Sequence, residues 1–336
     1  MLIKNLSVSF YPARQKLPNN YIYHYSKILE RELTVRDREN AFRLKSLISL
    51  FWQPRVDYIL INWLENILVG ENGRISWFTR LKFVAFLFVI TRRSSGYIVI
   101  WHNFYPHKLD ERDYPKFESI EKNYHRKAAL VVKNNPVGIP YGNYVPFPLM
   151  NNKEKIIFQS YETYFVVFGA LLPYKKIESL IRVWSIDAPS LIIFGLEVDL
   201  EYSNRLKEQE RQNVKIMPGY FSPSECDVLI GRSAGLILSQ TGRNISLGSS
   251  LFYALNLGVP VIGLENGFLR WLKPHYPGGI IRVVSTHEQI VGLVEECQPP
   301  HPAVRKEVMS ITEHLFGVEA VRIAWKMVFE KLAEQK

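Results

Sequence analysis

Short runs of β-branched and aromatic residues recur along this chain, and they alternate with longer stretches in which apolar residues follow a helical spacing. Strands of a parallel sheet have such runs because helices cover both of their faces. We expect strands within residues 1–10, 56–61, 96–101, 128–132, 164–168, 190–194, 214–217, 235–238 and 260–262. The alternation of strand and helix predicts an α/β fold with doubly wound sheets.

A connector rich in proline divides the chain. Residues 134–148 hold four prolines and two glycines, and the polar residues 151–155 follow. Such segments interrupt regular structure. We therefore predict two Rossmann-like domains that face each other across a cleft, one at residues 1–148 and one at 149–310. Ligands of open α/β sheets bind beyond the carboxyl ends of the strands, so residues at these ends are the first candidates for a site.

Two segments of the second half favour an anion site. Gly248, Ser249 and Ser250 precede an apolar helical stretch, and the free N–H groups of a first helical turn attract phosphate. A helix that is merely capped by serine is the alternative. In the other segment, Gly169 follows a predicted strand and permits close approach of a ligand, and Lys175 supplies a cation that opposes the helix dipole.

Residues 76–93 predict an apolar helix whose aromatic core is bracketed by Arg80, Lys82, Arg92 and Arg93. This composition is typical of a helix that lies at a membrane interface. A helix buried against a sheet, with basic ends at its rim, is the alternative, and both hold if one edge is exposed. The apolar runs are far shorter than the roughly 20 residues that a membrane span requires.

The net charge of +10 lies in the first half of the chain. Residues 1–150 contain 22 Lys and Arg against 12 Asp and Glu, whereas residues 151–336 contain 20 of each. This excess favours polyanionic partners such as anionic lipid or a pyrophosphate, and without a nucleic-acid motif we expect no nucleic acid. Cys226 and Cys297 form neither a disulfide framework nor a metal motif, which favours a reducing cytoplasm.

Five segments carry a further pattern: Asp57–Glu65, Trp101–His107, Ile139–Tyr144, Phe168–Lys175 and Gly248–Val261. As an ordered series they resemble the motifs of GT-B glycosyltransferases. More narrowly, the first three resemble elements of bacterial exopolysaccharide glycosyltransferases, a set that includes the xanthan-type β-mannosyltransferases. The resemblance covers about residues 55–265.

The resemblance implies that the second domain binds a nucleotide-diphosphate sugar, with GDP-mannose favoured, and that the first domain faces the acceptor and the membrane. Residues 311–336 are expected to form a last helix that braces the first domain. The donor-binding residues implied are Gly169, Tyr174, Lys175, Gly219, Tyr220, Arg243, Asn244, Gly248, Ser249 and Ser250.

The catalytic groups are expected in the first domain. Retaining GT-B enzymes usually carry two glutamates eight residues apart, and Ile245 and Tyr253 occupy those positions here. We therefore predict an inverting, metal-independent transfer, which needs a general base for the acceptor hydroxyl. We favour a carboxylate as the base and a histidine as the group that positions the donor sugar. The candidates are His102, His107, Glu65 and Asp110.

The sequence thus predicts a hexosyltransferase of polysaccharide biosynthesis. It would transfer a hexose, with mannose favoured, to a glycan or a polyprenyl-diphosphate-linked acceptor, and would require no cofactor besides the donor. We expect a cytoplasmic protein bound peripherally at the inner face of the cell membrane. Two alternatives stay open, namely a catalytically inactive GT-B-like binding or assembly protein and a nucleotide-sugar epimerase of the same fold.

Overall fold

The chain forms two compact units. A computed structural model describes residues 6–12, 21–36, 54–102, 104–106, 109–137, 141–149, 162–240 and 248–334. The first unit is Met1–Met150 together with Phe316–Lys336, and the second is Asn151–Leu315. Each unit contains one parallel β-sheet, in which the described residues form six strands.

The regular elements alternate along the chain as strand and helix. The strands are β1 (Ser7–Tyr11), β2 (Thr34–Val35), β3 (Val56–Asn62), β4 (Ser94–Trp101), β5 (Leu130–Lys133), β6 (Asn143–Tyr144), β7 (Tyr164–Phe168), β8 (Ser190–Gly195), β9 (Val214–Pro218), β10 (Gly235–Leu238), β11 (Val261–Leu264) and β12 (Ile281–Val284). The α-helices are α1 (Tyr21–Leu29), α2 (Trp77–Arg93), α3 (Tyr114–Lys127), α4 (Ile177–Val183), α5 (Leu200–Lys207), α6 (Pro223–Gly231), α7 (Ser249–Asn256), α8 (Gly267–Leu272), α9 (His287–Glu296), α10 (Pro302–Phe316) and α11 (Val318–Glu334).

The sheet of the first unit has the strand order β2-β1-β3-β4-β5-β6. Successive residues of a strand face opposite sides, so Leu60 packs with α1 and α11, whereas Ile59 and Ile61 pack with α2 and α3. Trp325 of α11 lies edge-on against Tyr25 of α1, with 5.5 Å between the ring centroids. Helices thus cover both faces of the sheet, which explains why its central strands are apolar along most of their length.

The sheet of the second unit has the strand order β12-β11-β10-β7-β8-β9, again with parallel neighbours. One of its faces is covered by α4, α5 and α9. The chain runs outward from β7 to β9 and then returns to β10 on the other side of β7. The topological switch point of this sheet therefore lies between β7 and β10, which is where α/β proteins bind ligands.

The predicted fold class is confirmed, since both sheets are parallel and doubly wound. Each predicted strand whose residues are described is present, although residues 1–5 of the first lie outside the described ranges. The pattern did not predict β2, β6 or β12. The first two are only two residues long, and Arg282 interrupts the apolar run of β12 at the edge of its sheet.

Arg305 ties α10 to the end of α6. Its side chain is 1% exposed, and its two terminal nitrogens donate hydrogen bonds to the carbonyl oxygens of Gly231 and Ser233 at 2.6 and 3.2 Å. Carbonyl groups at the carboxyl end of a helix carry partial negative charge, so they suit a buried cation. The turn after α7 packs against this arginine through Gly258, whose φ is +69°.

We expect Gly258→Ala to destabilise the protein by about 1–3 kcal/mol. A Cβ atom at this position would lie 2.7 Å from the carbonyl oxygen of Arg305, in a backbone conformation that disfavours side chains. Gly292→Ala is the matched control, because Gly292 lies exposed inside α9 with no described atom near its missing Cβ. Urea denaturation should show a stabilised control and a destabilised Gly258 variant; equal midpoints for the two would contradict the packing.

Candidate functional site

Three neighbouring strands of the second sheet end at glycine residues, which have no side chain. Gly169, Gly195 and Gly219 stand at the carboxyl ends of β7, β8 and β9, with φ angles of 113°, 139° and 144°. Side chains rarely adopt these conformations, and a Cβ atom on Gly195 would lie 2.2 Å from the carbonyl oxygen of Gly169. No described atom lies within 4 Å of a Cβ atom built on Gly219. The bare backbone of Gly195 therefore lets the ends of β7 and β8 pack closely, and a ligand can approach the backbone at Gly219.

A lysine lies over the first of these glycines. Lys175 ends the 3₁₀ turn Pro173–Lys175, and its Nζ donates to the carbonyl oxygen of Phe168 at 3.3 Å. A Cβ atom on Gly169 would lie only 2.8 Å from this Nζ. Burial lowers the pKa of Lys175 to about 8. Within the described part of the chain no carboxylate pairs with it, so this partly buried ammonium lacks a compensating anion.

Hydrogen bonds bring the ends of β7 and β10 together. Ser239 follows β10, and its Oγ donates to the carbonyl oxygen of Lys175 at 2.6 Å. His287 Nε2 donates in turn to the carbonyl oxygen of Ser239 at 3.0 Å. The side-chain amide of Gln240 lies 3.5 Å from where a Cβ atom of Gly248 would be. Lys175 is therefore hydrogen-bonded to the residue that follows β10, and the start of α7 lies beside the next residue, at the switch point.

The start of α7 has no side-chain cap. Gly248 is the N-cap residue, and a Cβ atom there would approach Ser250 Oγ to 3.2 Å. No described residue accepts a hydrogen bond from the backbone N–H of Ser249 or Ser250. The uncapped N–H groups and the helix dipole favour a bound anion over the alternative of a serine-capped helix.

The remaining predicted donor-binding residues differ in what surrounds them. Tyr174 is half-buried in the 3₁₀ turn, and burial raises the pKa of its phenol. Tyr220 is 72% exposed and follows Gly219 directly, so its ring is accessible to a ligand at the end of β9. Arg243 and Asn244 lie outside the described residues.

A carboxylate lies beside the position at which, by the motif resemblance, retaining GT-B enzymes carry their second glutamate. Tyr253 occupies that position, and its hydroxyl donates to Asp227 Oδ1 at 2.6 Å and contacts the carbonyl oxygen of Pro223 at 3.1 Å. Asp227 belongs to α6 and is 8% exposed. The ring of Tyr253 also stands edge-on to that of Phe168, at the end of β7. Another helix thus supplies an acidic group next to Tyr253.

In the first unit, His102 is a buried neutral imidazole. It follows β4, and its Nε2 donates to Asn62 Oδ1 at 2.9 Å. Its ring stacks on Trp63 at 4.9 Å and meets Tyr21 edge-on at 5.1 Å. Burial lowers its pKa to about 3, so the ring stays uncharged at neutral pH. A ring of fixed orientation can position a ligand, but with so low a pKa it is a poor proton acceptor.

Glu65 is a buried carboxyl group close to a second one. It lies in the 3₁₀ helix Leu64–Leu68 that follows β3, it is 2% exposed, and its Oε1 accepts no hydrogen bond from any described residue. Burial raises its pKa to about 7. Burial, and then the negative charge of Glu65, raise the pKa of Glu121 on α3 to about 9. Glu65 therefore ionises first, in the range where a general base works at neutral pH.

Asp110 has the opposite electrostatic setting. Hydrogen bonds from Arg112, with Arg74 nearby, hold the pKa of its carboxyl well below the usual value. It also caps the 3₁₀ helix Glu111–Asp113, because its side chain accepts a hydrogen bond from the backbone N–H of Arg112. A carboxylate whose charged form is stabilised in this way takes up a proton poorly and is a weak base. His107, the fourth predicted catalytic residue, lies outside the described residues.

The structure adds candidate residues that the sequence analysis missed. These are Ser239, His287 and Asp227, which contact groups distant in sequence, and Glu121, whose pKa is raised by the distant Glu65. No motif connects such pairs. Gly195 is different, because the Phe-Gly dipeptide that ends β8 repeats the one at the end of β7 and could have been read as a signal.

Comparisons with known proteins find likeness in structure but not in sequence. No protein-family model matches the chain, and no curated protein sequence matches it significantly. The structure is similar to that of HepE from Anabaena in complex with UDP and glucose, with a TM-score of 0.64 and 13% identity over 98% of this chain and 100% of HepE. HepE in complex with UDP-glucose gives a TM-score of 0.63 at 12% identity, over 98% and 99% of the two chains.

A third similar structure is AviGT4, a glycosyltransferase of avilamycin A biosynthesis, with a TM-score of 0.59 and 13% identity over 98% of each chain. Identities this low show the fold alone. The two parallel, doubly wound sheets and the likeness over almost the full length of both chains agree on that fold. The chain therefore has the GT-B fold, with two Rossmann-like domains.

Proposed function

We propose that this protein is a glycosyltransferase that takes a hexose from a nucleotide-diphosphate sugar bound at the carboxyl edge of the second sheet. The observation that carries the proposal is the uncompensated cation of Lys175, which lies over Gly169 at the switch point. Ser239 ties it to the strand that leads to the uncapped turn of α7. A diphosphate is the ligand whose charge suits a lysine and a helix N-terminus together.

In this proposal the second domain holds the donor by complementary groups. Lys175 and the N–H groups of Ser249 and Ser250 bind the diphosphate and stabilise the charge that it gains on leaving. The open space beside Gly219 lets the nucleoside lie against the backbone there. Asp227, oriented by a tyrosine hydroxyl, accepts hydrogen bonds from hydroxyl groups of the donor.

We propose inversion with Glu65 as the general base. The acceptor oxygen forms the new bond to the anomeric carbon, the bond to the diphosphate breaks, and the acceptor proton passes to a carboxylate. The pKa of Glu65, about 7, suits this role better than that of Asp110, which its arginines depress. His102, uncharged and fixed by Asn62, positions the donor sugar rather than taking the proton.

The sugar, acceptor and location are further parts of the proposal. Mannose from GDP-mannose is favoured by the motif resemblance, whereas the HepE complexes contain UDP with glucose or UDP-glucose, so both donors belong in any test. The excess of basic residues in the first half supports a protein that acts at the anionic inner face of a membrane. Its acceptor in this proposal is a glycan or a polyprenyl-diphosphate-linked saccharide. Among the described helices, none is long and apolar enough to span a bilayer.

A donor panel tests the proposed function. The protein is incubated with UDP-glucose, UDP-galactose or GDP-mannose, with and without bacterial lipid extract, and released UDP or GDP is measured. We expect release from one donor, dependent on the extract. Binding without release would favour an inactive binding protein, and conversion of the donor sugar without an acceptor would favour an epimerase. The proposal would be contradicted if no donor released its nucleotide and no donor raised the melting temperature.

A further inference from the structure

Helix α2 presents an apolar face to the outside of the protein. Its buried residues, Phe83, Phe86 and Ile90 among them, pack on the sheet of the first unit. The opposite side exposes five large apolar side chains. Their exposed fractions are 76% for Trp77, 51% for Phe78, 56% for Leu81, 62% for Val84 and 53% for Phe88.

These exposed residues form one continuous stripe. Trp77, Leu81, Val84 and Phe88 follow one another at intervals of four, three and four residues, which places them on one side of a helix, and Phe78 lies beside them. Single exposed apolar residues are ordinary on protein surfaces. A contiguous apolar patch marks a surface that meets another apolar body.

Cations border the stripe and lie on its rings. The ammonium of Lys82 stands 4.4 Å from the ring centroid of Phe78, and the guanidinium of Arg92 stands 5.0 Å from that of Phe88. Arg80 is exposed on the same helix, and residues 77–93 contain no aspartate or glutamate. Long basic side chains reach from an apolar surface toward phosphate groups while their stems stay in contact with it.

We infer that α2 lies in the plane of an anionic lipid bilayer, with its exposed apolar stripe inserted among the acyl chains and Arg80, Lys82 and Arg92 at the lipid phosphates. Seventeen residues span roughly 25 Å, and the other face of the helix is packed on the sheet, so the helix lies along the bilayer. A second copy of this chain fits the surface less well, because it would bring the cations of two identical helices together.

The inference rests on the proposed function, since a lipid-linked acceptor is the reason for this protein to meet a bilayer. It nevertheless predicts a property that needs no sugar. Electrostatic adsorption alone would disappear at high salt, because ions screen exposed charges. Insertion of Trp77 and its neighbours should leave part of the binding to vesicles intact in high salt.

The test uses the full chain and vesicles of phosphatidylcholine with or without phosphatidylglycerol. Co-sedimentation should require the anionic lipid. The double variant Trp77→Ser/Phe88→Ser should bind at least tenfold more weakly, and Arg80→Glu/Lys82→Glu should weaken binding about 10- to 100-fold. The control Ile323→Ser/Met327→Ser removes two apolar side chains of α11 that are 47% and 57% exposed, and it should bind as the wild type does.

A second readout reports insertion itself. Brominated lipids should quench tryptophan fluorescence in the wild type, and Trp77→Phe should keep the binding while losing most of the quenching. Absence of vesicle binding, equal loss in the α11 control, or a dimer that the α2 variants dissolve would overturn the inference. Titration of the same variants with UDP and GDP separates this failure from failure of the proposed function, because donor binding should be unchanged in all of them.

Discussion

Replacing Lys175 by methionine lowers the affinity for UDP or GDP by about 30- to 1,000-fold, equivalent to about 2–4 kcal/mol. The substitution keeps most of the side-chain volume but removes the one cation that the described structure places over Gly169 at the switch point. A diphosphate would then face the start of α7 without a counter-charge. Calorimetric titration of the full chain measures the change directly.

The control for this variant is Lys207→Met, an equivalent change at an exposed lysine in the last turn of α5. It should bind the nucleotides as the wild type does. If both variants bound equally well, or if Lys175→Met bound as tightly as the wild type, the diphosphate site would lie elsewhere in the chain.

The same lysine should give donor binding a characteristic dependence on pH. Burial lowers the pKa of Lys175 to about 8, so the free protein loses this positive charge as the pH rises above 8. The terminal phosphate of UDP or GDP stays fully ionised over the same range. The anion binds the protonated form, so the dissociation constant should rise by up to tenfold per pH unit between pH 8 and 10. Lys175→Arg keeps the charge throughout this range and should flatten the dependence.

Replacing Glu65 by glutamine lowers kcat by about 100- to 10,000-fold if this carboxylate is the general base. In the wild type, the rate should increase with pH through about 7, the pKa to which burial raises this group, and then level off. The variant should not show this increase of rate with pH, and it should still bind UDP or GDP with unchanged affinity. Glu71→Gln, at an exposed position of the same unit, is the control and should keep full activity.

The Glu65 variant should also be more stable than the wild type at pH 8. In the unfolded chain the carboxyl ionises near its ordinary value of 4.5, whereas in the folded chain it stays protonated up to about pH 7. The folded state therefore binds the extra proton, and stability falls as the pH rises from 4.5 to 7. Glutamine removes this cost, so we expect a gain of about 1–3 kcal/mol at pH 8 and little change at pH 4.

These two readouts separate a catalytic role from a structural one. Loss of kcat together with a gain in stability is the expected pattern, since a buried carboxyl kept for its chemistry costs stability. An unchanged kcat would mean that a residue other than Glu65 is the general base. An unchanged melting temperature at pH 8 would mean that the carboxyl is less buried than the structure describes.

The sequence predicted the parts of this fold that depend on local patterns. Each run predicted to be a strand forms one where its residues are described, and the capping box at Ser76 begins the helix predicted from residue 76. The interpretation of that helix required the structure, because apolar residues lie nearly all round it. Only the packing of Phe83, Phe86 and Ile90 shows which face is buried and which is left outside.

The candidate site was predictable only where one short segment of the chain contains its residues. Gly169 and Lys175 are six residues apart, and the start of α7 is a local signal, so both could be recognised in the sequence. The contact between Tyr253 and Asp227 joins two helices across 26 positions, and the influence of Glu65 on Glu121 crosses 56. Such pairs arise from the winding of the chain around the sheet, which no local pattern encodes.

A structure of the protein with the nucleoside diphosphate that its donor releases tests the central claim most directly. The account predicts a diphosphate oxygen within hydrogen-bond distance of Lys175 Nζ and of the backbone N–H groups of Ser249 and Ser250, with the nucleoside beside Gly219. A nucleotide bound away from the carboxyl ends of β7 and β10, with Lys175 uninvolved, would contradict it.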